Sequence, residues 1–169
     1  MNIQEILNNH GINSIWHFTD RSNIGSIEEN GLLPLNTLLK EKIEVSRYGA
    51  SDSSHRQDIR KGLDKCIHLS FIQDHPMYHI AKRDGRIVDP VWIEIDIDSM
   101  TAKNTLFSNI LANTYNAKIF KSDELEEIIN FDTILYEKDF YTRKEARKAE
   151  IMIFNSITTN QIKGIYNGK

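Results

Sequence analysis

A dense run of charge ends at one carboxylate and is followed at once by four apolar residues: Arg143-Lys144-Glu145-Ala146-Arg147-Lys148-Ala149-Glu150-Ile151-Met152-Ile153-Phe154. No other stretch constrains the chain as much. A short apolar run bounded by polar residues suits a strand covered on both faces, and Ile151 to Phe154 is read as that strand. Glu150 then stands at the strand's mouth, where a sheet opens onto a cleft. A carboxylate so placed can bind a sugar hydroxyl, act as a general base, or face a developing positive charge. The plainer alternative is a solvated glutamate closing a charged loop.

The chain is long enough to bury a proper core, and one domain spanning 1–169 is expected. A hydrophobic content of 40% with 27% charged residues describes a soluble globular protein. No apolar run reaches the length of a membrane span, and Met1-Asn2-Ile3-Gln4-Glu5 lacks the basic start of a secretory signal. Cys66 is alone and has no internal disulfide partner, so a reducing cytoplasm is the expected location. The net charge of −3 argues against a protein basic all over. Base nevertheless gathers at Arg56, Arg60, Lys61 and Lys65, and again at Lys138, Arg143, Lys144, Arg147 and Lys148, which permits a local nucleic-acid track.

Helical spacing puts Ile3, Ile6 and Leu7 on one face before Gly11. Ser14 to Thr19 reads as a strand whose alternation sends Ile15, His17 and Thr19 one way, and Trp16 and Phe18 the other. A face carrying His and Thr suits the wall of a polar cleft; a satisfied core histidine is the alternative. Ser22 is expected to cap a helix that runs to Asn30, closed by Gly31 in a left-handed conformation, with a further short helix from Leu35 to Lys40. From Glu41 to Gly62 a long polar loop is expected, least regular at Ser51-Asp52-Ser53-Ser54. It bears Arg47, Tyr48, His55 and Arg56 and could cover a site. Cys66 to Phe71 reads as a second strand, and Pro76 starts a helix to about Arg83. Pro90 to Asp98 alternates as a half-buried strand. Thr105 to Phe120 is irregular, Ser122 caps an acidic helix to Asn130 in a capping-box pattern, Ile134-Leu135-Tyr136 reads as a strand, and Ile162 to Tyr166 as an edge strand.

The chain has no G-x-G-x-x-G, Walker loop or H-E-x-x-H. His75 and His79 would share a helix face but lack a third ligand nearby in sequence, so no metal is expected. Cys66 and His68 share a strand face, yet cysteine is more often a small buried hydrophobe than half of a nucleophile pair.

Taken in order, three stretches carry a resemblance. Trp16-His17-Phe18-Thr19 with Ile24, Ile27 and Asn30-Gly31-Leu32-Leu33 looks like the opening strand and helix of the DarT-type DNA ADP-ribosyltransferases. Ile67-His68-Leu69-Ser70-Phe71 with Pro76-Met77-Tyr78 looks like that family's second strand and following helix. Arg143 to Ile153 looks like its catalytic-glutamate strand. The resemblance implies an α+β ADP-ribosyltransferase fold: a split, mixed β-sheet core around an NAD-binding cleft, with peripheral helices. It implies transfer of ADP-ribose from NAD⁺, a substrate rather than a resident cofactor, to a base of single-stranded DNA. Glu150 would hold the ribose, stabilise the oxocarbenium-like centre and take the proton of the attacking nitrogen. His17, Thr19 and Ser70 would line the NAD⁺ pocket. An arginine of the long loop would grip the pyrophosphate or activate the acceptor, a role for which Arg47 is preferred to Arg56. A toxin opposed by a macrodomain antitoxin is also implied. The Cys66-Ile67-His68-Leu69 run departs from the thymidine-modifying branch and leans the acceptor toward guanine.

Two other classes remain open. One is a transferase of the same fold acting on RNA, or an RNA 2′-phosphotransferase, although the latter should carry a further domain. The other is a nucleic-acid-binding module without catalysis, which would leave the His-x-Thr strand and Glu150 without a purpose.

Overall fold

In the computed structural model, which describes residues 1–169, helix α1 (Ile3–Asn9) opens with a reciprocal Asn2–Glu5 capping box and buries Ile3, Ile6 and Leu7. Strand β1 (Ser14–Asp20) leads through a short 3₁₀ turn into helix α2 (Ile24–Asn30). Asp20, not Ser22, makes the cap here: its Oδ1 accepts from the Ser22 backbone N–H at 3.0 Å and the Ser22 hydroxyl at 2.7 Å. Gly31 ends α2 with φ 75° and ψ −171°, positive φ without the αL geometry expected of it. Any Cβ at Gly31 would be driven into the carbonyl oxygen of Ile157, which accepts from Leu32 N–H at 2.9 Å. Only glycine meets both demands.

Helix α3 (Leu35–Lys40) is followed by α4 (Asp52–Lys61), strand β2 (Ile67–Leu69) and helix α5 (Pro76–Arg83). Strands β3 (Pro90–Asp96), β4 (Thr105–Ser108) and β5 (Ile119–Phe120) come next, then helices α6 (Leu125–Ile128), α7 (Phe131–Tyr136) and α8 (Phe140–Ala146), and strands β6 (Glu150–Ile153) and β7 (Ile162–Asn167) close the chain. One sheet has the order β1-β3-β7 and the other β2-β6-β4-β5. The two touch where Trp16 of β1 exchanges backbone hydrogen bonds with Ser70 just past β2, at 3.0 and 2.8 Å. The α+β class and the split core are as expected; all the strand pairings are antiparallel rather than mixed.

The apolar faces of both sheets share one core. Ile15, Ile93 and Ile95 come from the first sheet, and Ile67, Phe107, Ile151 and Ile153 from the second. Burying each such side chain stabilises by about 1.5–3 kcal/mol. Ile151, Met152 and Ile153 are all buried, as a strand covered on both faces requires, while Phe154 lies past the strand end. No helix is long and apolar enough to cross a membrane.

Three further expectations are corrected. The supposed loop at Ser51 to Ser54 is the start of α4: Ser51 Oγ accepts from Ser54 N–H at 3.2 Å, and Gly62 stops the helix in αL geometry. Its polar composition hid it, since Asp58 is its one buried residue. Ile134-Leu135-Tyr136 is helical, because Asn130 caps Thr133 N–H at 3.0 Å and places Phe131 and Ile134 together in the core. Ser122 caps nothing through its side chain; it lies in a 3₁₀ turn that hands over to α6, which Leu125 anchors by complete burial.

Candidate active site

Glu150 is the first residue of β6, the strand between β2 and β4, and pairs across the ladder with Ser108. Its side chain is 14% exposed at the floor of an open cleft. Glu150 Oε2 accepts from Ala112 N–H at 2.8 Å and lies 3.6 Å from His68 Nδ1. Burial works against ionisation of this carboxyl, but His68, His75 and the Ala112 N–H outweigh it and hold its pKa below the usual glutamate value.

His68, on β2, is the partner. Its Nε2 lies 3.2 Å from the Leu63 carbonyl, which can only accept, so Nε2 carries a proton. Burial alone would lower the His68 pKa, yet the Cys66 sulfur and the Glu150 carboxylate raise it well above the ordinary histidine value. His68 is therefore the cation and Glu150 the anion of a half-enclosed pair. Cys66 is buried, donates its thiol to Leu63 O at 3.0 Å and stands 3.7 Å from His68 Nε2.

His17 projects from β1 into the same cleft. Its Nδ1 donates to the His68 carbonyl at 3.1 Å, and burial lowers its pKa, so the ring is neutral with the Nε2 lone pair free to accept. Ser70 also lines the cleft and donates its hydroxyl to Ile72 O at 2.8 Å. Thr19 lies deeper, and its Oγ1 accepts from Asn23 Nδ2 at 3.0 Å.

Arg47 borders the cleft from the segment between α3 and α4; its Nη1 reaches the Gly85 carbonyl at 3.3 Å. Arg56 is exposed on α4 and does not line the cleft. Glu150, His17, Thr19, Ser70 and Arg47 are thus brought together, and Arg56 stands apart.

Other groups in the cleft were given no part in the site by the sequence. Buried Asn23 accepts from the backbone N–H of Ser46 and Arg47 at 2.9 and 3.3 Å and donates to the Arg47 carbonyl at 2.6 Å, fastening the arginine segment to β1. His75 caps α5, with Nδ1 accepting from Met77 N–H at 3.1 Å; its Nε2 is buried without a partner. His79 pairs instead with Asp74 at 2.7 Å. Asp58 is buried in the wall formed by α4. The strand face shared by Cys66 and His68 was visible in the sequence, but as a weak nucleophile pair and not as a partner for Glu150. Asp58 and Asn23 could not be seen there, because only the tertiary fold brings them to the cleft.

The family model described as ssDNA thymidine ADP-ribosyltransferase, DarT, matches residues 16–168. The chain belongs to the DarT family. Solved DarT structures share its fold. Thermosipho africanus DarTG in complex with ADP-ribose superposes with a TM-score of 0.74 at 18% identity, covering 93% of this chain and 44% of that one. This chain therefore spans under half of that relative. Thermus sp. 2.9 DarT in complex with ADP-ribosylated ssDNA gives 0.71 at 16% identity, covering 92% of this chain and 81% of that one. The same Thermus DarT in complex with carba-NAD⁺ gives 0.65 at 16% identity, over 91% and 81% of the two chains. Among curated proteins, none matches.

Proposed function

We propose that the cleft binds NAD⁺ and transfers its ADP-ribose to a base of single-stranded DNA. The observation that carries this reading is Glu150, held ionised by His68 and the Ala112 N–H beneath walls that include His17 and Ser70. Both contacts fall on Oε2, leaving Oε1 to accept from a ribose hydroxyl. As the nicotinamide–ribose bond breaks, positive charge grows on the sugar carbon and its ring oxygen. A carboxylate kept charged in a water-poor site stabilises that charge without reorganising. His17 Nε2 accepts a hydrogen bond from the dinucleotide, and Ser70 lies beside it. The planar fork of Arg47 suits pyrophosphate oxygens. Arg56, outside the cleft, is assigned no part in NAD⁺ binding.

The family description and the ADP-ribosylated ssDNA held by Thermus DarT support DNA as the acceptor. An exposed surface on α7 and α8 suits a single strand: Tyr136, Phe140 and Tyr141 are exposed close in sequence to Lys138 and Lys144. The family description names thymidine, whereas the Cys66 to Leu69 departure leans to guanine. A macrodomain antitoxin that removes the modification is part of the same proposal, in keeping with the DarTG relative.

Incubation with NAD⁺ and oligonucleotides of differing base content, followed by mass measurement, should show one ADP-ribose added to DNA containing the acceptor base. Glu150→Ala should abolish the product while leaving the melting temperature near that of the wild type. Arg47→Ala should slow transfer by about 10²-fold or more, and Arg56→Ala should leave it nearly unchanged. Unmodified mass with every DNA would sink the reading, and product on RNA alone would move the acceptor.

A further inference from the structure

We infer that Asp58 is a second catalytic carboxylate, which accepts the proton of the acceptor base as ADP-ribose is transferred. This deepens the proposed function and rests on the cleft being an ADP-ribosyl-transfer site.

Asp58 is the one buried residue of an otherwise wet helix, a place where an apolar side chain would cost nothing. It is 8% exposed, and its Oδ1 has no hydrogen-bond partner. Buried carboxylate oxygens without a donor are expensive in any fold, so one kept in the wall of a reaction cleft implies a donor that arrives with a substrate. The setting is rigid. Lys61, one turn further along α4, donates to the Ala112 and Thr114 carbonyls at 2.8 and 2.6 Å, fixing α4 to the segment that supplies the Ala112 N–H to Glu150. Between those two carbonyls Asn113 also faces the cleft. One rigid block therefore holds both carboxylates.

The chemistry needs two such groups. Thymine N3 and guanine N1 carry a proton in the neutral base, as does the guanine exocyclic amine. As the nitrogen lone pair forms its bond to the ribose carbon, the nicotinamide–ribose bond breaks and its electron pair leaves with neutral nicotinamide. The nitrogen's proton passes to Asp58 Oδ1, giving a carboxylic acid that later loses it to water. The sum is NAD⁺ plus base giving ADP-ribosyl-base, nicotinamide and H⁺.

Glu150 suits the cationic sugar and is a poor base, because His68 holds it ionised. Asp58 is the better base: burial and the nearby charge of Glu150 raise its pKa despite His68, His55 and Asn113. Carboxylates driven apart in this way divide acid–base work between them. For transfer to a ring nitrogen, an acceptor-only carboxylate also favours bases that present an imino N–H, thymine and guanine, over the bare ring nitrogens of adenine and cytosine.

The test uses Asp58→Asn, which keeps the shape and removes the base, and Asp58→Glu, which restores a carboxylate, with NAD⁺ and the best oligonucleotide. Asp58→Asn should lower kcat of transfer by roughly 10²–10⁴-fold and lose the acid limb of the pH–rate profile. Its KM for NAD⁺ should stay within about threefold, and its melting temperature at neutral pH should match or exceed that of the wild type. Asp58→Glu should recover part of the rate. Asp58→Asn transferring within about threefold of wild type overturns the role, as does loss of rate in step with NAD⁺ binding and stability. If the wild type itself modifies no oligonucleotide, the proposed function fails and this role with it.

Discussion

His68 and Glu150 hold each other in opposite charge states, and their titration reports the state of the whole cleft. The pKa of His68 is raised in the folded protein, so its contribution to stability is fully present below the unfolded histidine value. It is lost as pH rises through the raised value. The pKa of Glu150 is depressed, so its share is present above the unfolded glutamate value and lost as pH falls through the depressed one. The ion pair therefore persists between those two folded values. In a ring-proton NMR titration His68 should titrate above the ordinary histidine range, and Glu150→Gln should bring it down, since burial would then act against a weakened partner. An unchanged His68 titration in Glu150→Gln would mean that the pair does not govern either group. Glu150 and His17 stood out in the sequence because one heads a short apolar run and the other lies in an alternating strand, and Ser70 stood out through the family resemblance. His68 lay in a strand too but looked like part of a β-ladder, and its worth depends on an Oε2 contact that no spacing encodes.

Asn23 shows how one buried amide can fix an element that has little core of its own. The segment from Glu41 to Ser51 is mostly half-buried or exposed, and four hydrogen bonds from Asn23 tie it to Thr19 and to the Ser46–Arg47 backbone. Asn23→Ala should cost roughly 2–3 kcal/mol, measured by denaturant unfolding, because it strips several partners from one buried site. It should also raise KM for NAD⁺ through Arg47; an unaltered KM would show that the arginine segment does not need this anchor. Ser51→Ala, which removes the α4 cap, should cost about 1 kcal/mol. The segment that Asn23 anchors and the α4 cap both lay in what the sequence presented as one long loop. Polar helices such as α4 have no apolar stripe to betray them, and α7 was mistaken for a strand because Ile134, Leu135 and Tyr136 favour strands locally while the core needs Phe131 and Ile134 on one helical face. The strands β1, β3, β6 and β7 were readable since each is a short run rich in β-branched, aromatic or other apolar residues.

Across the molecule, a net charge of −3 cannot draw a nucleic acid toward the surface as a whole, so binding of single-stranded DNA depends on which cations remain uncommitted. Several of the basic residues that mark the sequence are already engaged. Arg147 donates to Asp74 at 2.7 Å and to Ile134 O at 2.9 Å, Lys148 pairs with Glu145 at 2.6 Å, and Lys61 is bound to backbone carbonyls. Arg143 is half-buried over the Phe140 ring at 5.9 Å and donates to Glu137 O at 3.1 Å. Lys138 and Lys144 are exposed and have no ion pair, and Tyr136, Phe140 and Tyr141 stand near them as faces on which bases can stack. Each lysine that meets a phosphate contributes about −0.7 to the slope of log K against log salt. The Lys138→Ala/Lys144→Ala double variant should therefore flatten that slope by about 1.4 in fluorescence-anisotropy titrations of an oligonucleotide. Tyr141→Ala should weaken binding by about 1–3 kcal/mol and leave the slope unchanged. Arg147→Ala should behave differently from both, lowering the melting temperature because Asp74 keeps only His79 as a partner and Ile134 O loses its donor. A slope unmoved by loss of the two lysines would place the DNA track on another face of the molecule, with Arg56 and Arg60 of α4 the next cations to test.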